Sequence, residues 1–446
     1  MTEAVILVPG IMGSVLQDGD QIIWPGSLLE LLLPYSHMTE LLNPGLQATD
    51  VIRNVSISSQ YQDLIDSLGS CGFSEQMQPA TLKVFPYDWR KDNTLAARNL
   101  ADSIDDMAYK LGIDAEINLV AHSMGGLVSR CYLESGDYLA RPGFARIKRL
   151  ITLGTPHRGA PMALAAALGQ EKRVFLNAEQ VKQVANDPRF PSLYQLLPPK
   201  GEPFAWNRAS DARLEPVDIY ALANAAKIGL EPANLSSAEQ FHSKLNLDRR
   251  PAHVRYFFFA GTRQQTASSV QVTFPQAGGA RVVKIERDDA GDGTVPTWSG
   301  SLSGVQMEPV GGEHGELYKN GDLKRVLGAL LGKAGVLLAA GLTPEISVLH
   351  KVVEPGDSTK VTIDFPQGTQ NVVGELHLDQ RVDAMGASQP TASPRTVFPI
   401  NYSGAQIDHL TVLIEAPALP GIYELGFVPA GSAASVVTTE LFVQGI

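Results

Sequence analysis

The chain has 446 residues and carries 36 Lys and Arg against 47 Asp and Glu, a formal net charge of −11. At roughly 150 residues per domain, this length fits about three ordinary domains or one large α/β domain with an appendage. The absence of any run of five or more basic residues argues against nucleic acid as the main partner and against a polybasic clamp on an anionic membrane. Two cysteines, Cys71 and Cys131, exclude a disulfide framework.

From the N-terminus, Ala4–Val8 is an apolar run stopped by Pro9-Gly10, which predicts a buried strand ended by a turn. A strand that starts at about residue 3 leaves no room for a secretory leader, so a cytoplasmic location is expected. Leu95, Leu100, Ile104, Met107 and Leu111 follow helical spacing, with N-caps on offer at Asn93 or Thr94 and a stop at Gly112. Next come a strand at Ile117–Ala121, a helix from Met124 to Ser135, and strands at Lys148–Leu153 and Val254–Ala260. A further strand at Val305–Val310 precedes a helix near Leu323–Leu330. This alternation predicts a mostly parallel sheet with helices on both faces. Between about Pro161 and Pro251 the pattern turns irregular and helical, as expected of a cap over an active site. The apolar stretch Val326–Leu342 contains Lys333 and several glycines, and reads as a closing helix rather than a membrane span.

Past Gly341, short alternating stretches recur at Glu345–Val352, Lys360–Phe365, Val372–Leu378, Leu410–Glu415, Ile422–Val428 and Val436–Val443, with turn pairs between them. They predict a C-terminal all-β sandwich of the immunoglobulin-like kind. The expected organisation is a catalytic domain over 1–342, with its cap at about 161–250, and the sandwich over 343–446.

The chemistry is concentrated at Ala121-His122-Ser123-Met124-Gly125-Gly126. A serine between a strand end and a helix start sits on the sharp turn that exposes a nucleophilic hydroxyl, and its neighbours two positions away must be small. Ala121 stands where the commonest pattern has glycine. The hydroxyl needs a histidine base, and the base needs an acid to orient it, in the chain order serine, acid, histidine. Of the later histidines, His350, His377 and His409 fall within or beside the predicted strands of the sandwich. His314, in Gly311-Gly312-Glu313-His314-Gly315, occupies a loop between a strand and a helix and is the expected base. Asp292, flanked by Gly291 and Gly293, is the expected acid, while Asp288 and Asp289 suit solvated turns. A calcium reading of this loop fails for want of spaced carboxylates, and no cofactor or metal is expected. The oxyanion hole needs two backbone N–H donors, expected at Met124 and at Ile11 in Pro9-Gly10-Ile11-Met12-Gly13.

Together with Phe85-Pro86-Tyr87-Asp88-Trp89-Arg90, these motifs resemble the lecithin:cholesterol acyltransferase family, which includes lysosomal phospholipase and phospholipid:diacylglycerol acyltransferases. Lys324-Arg325-Val326-Leu327 and Leu193-Tyr194-Gln195-Leu196-Leu197-Pro198 are similar as well, whereas Thr152-Leu153-Gly154-Thr155-Pro156-His157-Arg158-Gly159 looks more like bacterial lipases. The resemblance implies an α/β-hydrolase fold, a Ser123–Asp292–His314 triad and an oxyanion hole at Ile11 and Met124. It also implies a lipid acyl ester as substrate, cleaved by hydrolysis or transferred to an alcohol. A non-lipid carboxylesterase or lactonase is the alternative within enzymes, and a catalytically dead adaptor the alternative outside them. Asp88 and Trp89 are expected to brace the core, and His157 and Arg158 to be structural. The disulfide-closed membrane loop of the family's secreted members has no cysteines here. Its equivalent, Ile22-Ile23-Trp24 through Leu28-Leu29 and Leu31-Leu32-Leu33, is apolar and reads either as an interfacial lipid anchor or as a buried helix edge. The C-terminal domain reads as a docking module for a protein partner.

Overall fold

A computed structural model describes residues 2–26, 33–55, 58–210, 213–275, 279–333, 344–389, 395–432, 435 and 437–445. Six strands form the central sheet: β1 (Glu3–Val8), β2 (Leu82–Val84), β3 (Glu116–His122), β4 (Ile147–Leu153), β5 (Arg255–Thr262) and β6 (Gln306–Gly311). They lie in the order β6-β5-β4-β3-β1-β2, and every pairing is parallel. A parallel sheet must be covered on both faces, and β1 shows how. Ala4, Ile6 and Val8 point into the core shared with α2 (Asn93–Leu111) and α3 (Met124–Glu134), while Val5 and Leu7 point into the core shared with α1 (Tyr61–Ser70). The chain leaves β1 for β2 on one side and returns to β3 on the other. Their carboxyl ends therefore flank the crevice where open α/β sheets place ligands.

Helix α2 starts at Asn93, two residues before its first apolar position, Leu95, so neither Asn93 nor Thr94 is its cap. Its cap is Asp92, whose carboxylate accepts the Thr94 N–H at 2.8 Å. A charged acceptor also suits the positive end of the helix dipole.

The segment after β4 builds the cap from α4 (Pro161–Ala167), α5 (Ala178–Ala185), α6 (Leu222–Ile228) and α7 (Pro232–Lys244). It holds strand as well as helix. Ala205–Ser210 and Arg213–Pro216 join Thr266–Thr273 and Arg281–Asp288 in a four-stranded sheet, so a second part of this layer returns after β5. Arg281–Asp288 is mostly charged and has no fully buried residue, so its sequence shows no alternating apolar pattern. The chain then passes through β6 to α8 (Gly321–Leu330).

The C-terminal all-β domain is one six-stranded mixed sheet, made of β7 (Glu345–Val348), β8 (Val352–Val353), β9 (Ser358–Asp383), β10 (Arg395–Glu415), β11 (Gly421–Pro429) and β12 (Val437–Val443). The stretches 360–365 and 372–378, read from sequence as separate strands, belong to the single strand β9. Register shifts between Asp364 and Thr369 and between Thr369 and Asn371 interrupt the alternation without ending the pairing with β10. The domain has its own core around Val348, Leu376, Leu425 and Leu441. Val382, Ile422 and Phe442 belong instead to the main core of the chain, where Phe442 meets the cap's Phe175 edge-on at 6.1 Å.

In the apolar stretch near the N-terminus, Ile23 and Trp24 are fully buried while Ile22 and Leu33 are exposed. Leu28, Leu29, Leu31 and Leu32 lie outside the described residues. No helix among the described residues is long and apolar enough to cross a membrane. Cys71 and Cys131 are free, buried thiols.

Because Phe442 packs in the main core, F442A is expected to cost about 3–5 kcal/mol in urea unfolding. It should shift the transition of the central sheet along with that of the C-terminal sheet. Two separate transitions, of which only one moves, would show that the domains do not share a core.

Candidate functional site

Ser123 follows β3 and precedes α3 with φ +52° and ψ −126°. A non-glycine residue pays for such a conformation, so the surroundings must impose it. Its N–H donates to the Leu153 carbonyl at 2.9 Å, and its own carbonyl accepts from Thr155 Oγ1 at 2.8 Å. Two positions on, a Cβ at Gly125 would stand 2.5 Å from the carbonyl oxygens of Val8 and Pro9. Glycine there lets α3 close onto the end of β1. Across the crevice, a Cβ at Gly10 would meet Ser123 Cβ at 2.7 Å, so the backbone after β1 lies directly against the nucleophile elbow.

Ser123, His314 and Asp292 come together in a continuous hydrogen-bonded chain. His314 Nε2 is 2.8 Å from Ser123 Oγ, and His314 Nδ1 is 2.8 Å from Asp292 Oδ2. The carboxylate can only accept, so Nδ1 carries the proton and Nε2 is free to accept from the serine hydroxyl. Asp292 is fully buried, and its Oδ1 accepts the N–H groups of Thr294 and Val295 at 3.0 and 2.7 Å. Both oxygens are thus occupied by protein donors. The backbone holds the pair as well, with His314 N–H donating to the Asp292 carbonyl at 2.8 Å. Burial opposes a charged imidazole, but the adjacent Asp292 outweighs it and raises the pKa of His314 above the ordinary 6.5.

Of the two expected oxyanion donors, Ile11 lines the cavity beside Ser123, and Met124 heads α3 immediately after it. The loop that carries Ile11 is held from several sides. Tyr61 Oη accepts the Gly10 N–H at 2.8 Å, Tyr87 Oη donates to the Pro9 carbonyl at 2.9 Å, and Trp24 Nε1 donates to the Met12 carbonyl at 2.9 Å. The buried tryptophan of the apolar N-terminal stretch therefore serves this loop. Trp89 belongs to the main core of the chain. Arg90 is fully buried and grips Asp88 through Nε and Nη2 at 2.8 and 2.7 Å, and Trp89 meets Trp24 edge-on at 5.5 Å. His157 stacks on Phe258 at 3.8 Å, and Arg158 pairs with Glu202 at 2.8 Å.

Several residues at the site gave no signal that the sequence reading used. His122 bridges the tyrosine of α1 and the base. Its Nε2 donates to the His314 carbonyl at 2.9 Å, which leaves Nδ1 to accept from Tyr61 Oη at 2.8 Å. Burial, and then the charge of His314, push its pKa down to about 3. Glu313, next to the base, is pushed up to about 7 by burial and by Glu316. The second group comes from the C-terminal domain. The site opens into a cavity of about 570 Å³, within the roughly 300–1,000 Å³ usual for ligand pockets. Its walls are Ile11 and Met12 below, Met162, Ala163, Leu193 and Leu196 from the cap, and Leu349–Val353 with Phe442 from the C-terminal sheet. His350, set aside on sequence, is therefore a wall residue, while His377 and His409 pair with Glu375 and Asp408.

The same domain also braces the turn that carries His314. Glu316, in the 3-10 turn His314–Lys319, is buried and is met by Lys351 at 2.5 Å and Lys319 at 2.8 Å. Burial alone would raise this carboxyl, but the two ammonium groups win and hold it at about 2. Glu345 bonds Asn320 Nδ2 at 2.9 Å just beyond the turn. On the acid's side, Arg263 spans to Asp364 and Asp408 at 3.2 and 2.6 Å, while Gln264 N–H donates to the Gly291 carbonyl at 2.9 Å.

Three comparisons bear on this geometry. The family model of lecithin:cholesterol acyltransferase matches residues 40–302, a span that includes Ser123 and Asp292 and stops short of His314. In Arabidopsis thaliana, phospholipase A(1) LCAT3 is 24% identical over 258 residues, or 48% of this chain and 55% of that protein. Lecithin-cholesterol acyltransferase-like 4, from the same plant, is 26% identical over 239 residues, or 43% and 42%. The chain spans about half the length of these curated relatives. Among solved structures, a chain of the Tle4–Tli4 complex superposes with a TM-score of 0.51 at 16% identity, covering 76% of this chain and 99% of that one. That likeness supports the α/β-hydrolase fold.

Three titrations check the electrostatics. The His314 imidazole, followed by NMR, should titrate above 6.5 and fall toward or below that value in D292N. His122 is held neutral, so the stability it contributes is fully present above pH 6.5 and is lost as the pH falls from there toward 3. In H122Q the slope of unfolding free energy between pH 6 and 4 should flatten by about 1.4 kcal/mol per pH unit. Glu316, held charged rather than neutral, has the same sign: its depressed pKa contributes stability above about pH 4.5 that is lost as the pH falls toward 2. K351M should cost about 3 kcal/mol at pH 7, and that penalty should shrink as the solution is acidified through this window.

Proposed function

The chain belongs to the lecithin:cholesterol acyltransferase family, and from that premise we propose that it is a serine-dependent acyl-ester hydrolase or acyltransferase acting on lipid esters of the phospholipase A or lipase type. One observation carries the reading: the Ser123–His314–Asp292 chain, with both links at 2.8 Å, opens into a cavity with largely apolar side walls. Ser123 Oγ attacks the ester carbonyl carbon as His314 Nε2 takes its proton. The backbone N–H groups of Ile11 and Met124 receive the oxyanion, and each such donor is worth about 3–4 kcal/mol in the transition state. The C–O bond then breaks, and the leaving alkoxide takes the proton from Nε2. Water, or an acceptor alcohol, attacks the acyl-enzyme with the same imidazole as base. Asp292 holds the imidazole in its tautomer and stabilises its charged form throughout.

Fluorophosphonate labelling tests the enzyme reading. Wild type should label at Ser123, and S123A and H314A should not; an unlabelled wild type would sink it. With a labelled protein, kcat/KM over an acyl-chain series should rise with chain length, whereas a preference for acetyl or butyryl esters or for lactones would replace the lipid reading with a small-ester one. The base must be neutral, so kcat/KM should increase with pH along a limb centred above 6.5. D292N should lower the rate by about 10⁴. Ile22 and Leu33, both exposed, flank the stretch that this reading lays against a lipid surface. I22D and L33D should weaken flotation with phospholipid vesicles, and unchanged flotation would remove the membrane contact.

A further inference from the structure

The cap reaches the catalytic cavity through a tight hairpin. Arg173 N–H donates to the Leu176 carbonyl at 3.0 Å and Leu176 N–H to the Arg173 carbonyl at 2.9 Å, so only Val174 and Phe175 form the turn. Val174 is exposed and held at φ +52°, a costly conformation for a β-branched residue and one that tends to gather at ligand clamps. The hairpin sets Arg173 in the wall of the cavity that contains Ser123 and His314. Its Nη1 donates to Thr294 Oγ1 at 3.2 Å, two residues from Asp292. Its Nη2 is buried, and among the described residues nothing accepts a hydrogen bond from it.

The surrounding charges are already committed. Glu171 pairs with Arg287, Lys172 with Glu354 and Lys351 with Glu316. The Glu313 carboxylate accepts from the Gly315 N–H at 2.8 Å, and Asp292 is spent on His314 and its own loop. Arg173 is thus a guanidinium in the wall of this cavity that feels the charges of Glu171, Glu313 and Asp292 but makes no salt bridge among the described residues and leaves Nη2 unpartnered. A desolvated cation in that state is costly unless a ligand completes it, and a planar N–H fork suits the oxygens of a phosphate. Burial lowers the pKa of Arg173, and its charge in turn disfavours the imidazolium of His314. A bound anion would relieve both.

We propose that Arg173 is an anion subsite of this cavity, seating the phosphate of an acyl ester whose carbonyl lies at Ser123, so that phosphate-bearing lipid esters are preferred over neutral ones. The inference rests on the ester-hydrolase reading of Ser123 and adds the group that selects the substrate.

The test uses the full chain and a matched pair in the same neutral detergent: dioctanoyl phosphatidylglycerol, and dioctanoylglycerol, which lacks the phosphate. R173M should lower kcat/KM on the phosphate-bearing ester at least about tenfold more than on the neutral one, and R173K should recover part of the difference. Glycerol 3-phosphate should inhibit wild type competitively and R173M much more weakly; inhibition by inorganic phosphate alone would show that the subsite accepts the free anion as well. Equal loss on both esters, reproduced by T294V, would overturn the proposal and leave Arg173 as a brace between cap and acid loop. A wild type that labels at Ser123 and hydrolyses both esters alike also overturns it, whereas an unlabelled wild type refutes the hydrolase reading itself.

Discussion

The turn at Ser123 depends on how closely backbone can approach backbone. Its positive φ is unfavourable for any residue but glycine, and it persists because three independent contacts enforce it: the β4 carbonyl that takes its N–H, the threonine that binds its carbonyl, and the bare Gly125 that lets α3 press on the end of β1. The same approach puts Gly10 against the serine Cβ and so places Ile11 beside the nucleophile. Expanding any of these contacts by one methyl group would open the crevice between β1 and β3, and with it the registration of Ser123, His314 and Ile11.

Much of this was legible in the sequence, because the relevant signals are local. A buried strand, a small residue, a serine and a helix start within ten positions determine the elbow. Gly291-Asp292-Gly293 and Glu313-His314-Gly315 mark loops that can turn tightly enough to present a side chain. Five of the six strands of the parallel sheet followed from alternation of apolar runs and helical spacing, while the three-residue β2 (Leu82–Val84) was too short to stand out; the α/β-hydrolase fold followed from the order of the motifs.

What escaped was non-local. Nothing in the composition of Tyr61 or His122 announces that they bridge α1 to the carbonyl of the base. His350 was assigned to an ordinary strand position because its neighbours alternate as strands do, yet it stands in the cavity wall. The mostly charged pattern of Arg281–Asp288 concealed a cap strand, and bulges split β9 into what looked like two elements. The C-terminal domain was read as a docking module since it carries no acid/base cluster. Its contribution is Lys351, Glu345, His350, the Asp364 and Asp408 partners of Arg263, and a few aromatic and aliphatic side chains that matter only through what lies across from them.

That arrangement bears on how the molecule comes into being. Phe442, almost the last residue of β12, helps enclose a cavity whose nucleophile lies in the first third of the chain. During synthesis Ser123, Asp292 and His314 all leave the ribosome before the strand that completes their enclosure. A nascent chain therefore carries Ser123 without the finished cavity wall until β12 has emerged. Proteolytic loss of the final strand would have the same effect on the mature protein, removing one wall of the cavity without touching any of the three residues at its floor.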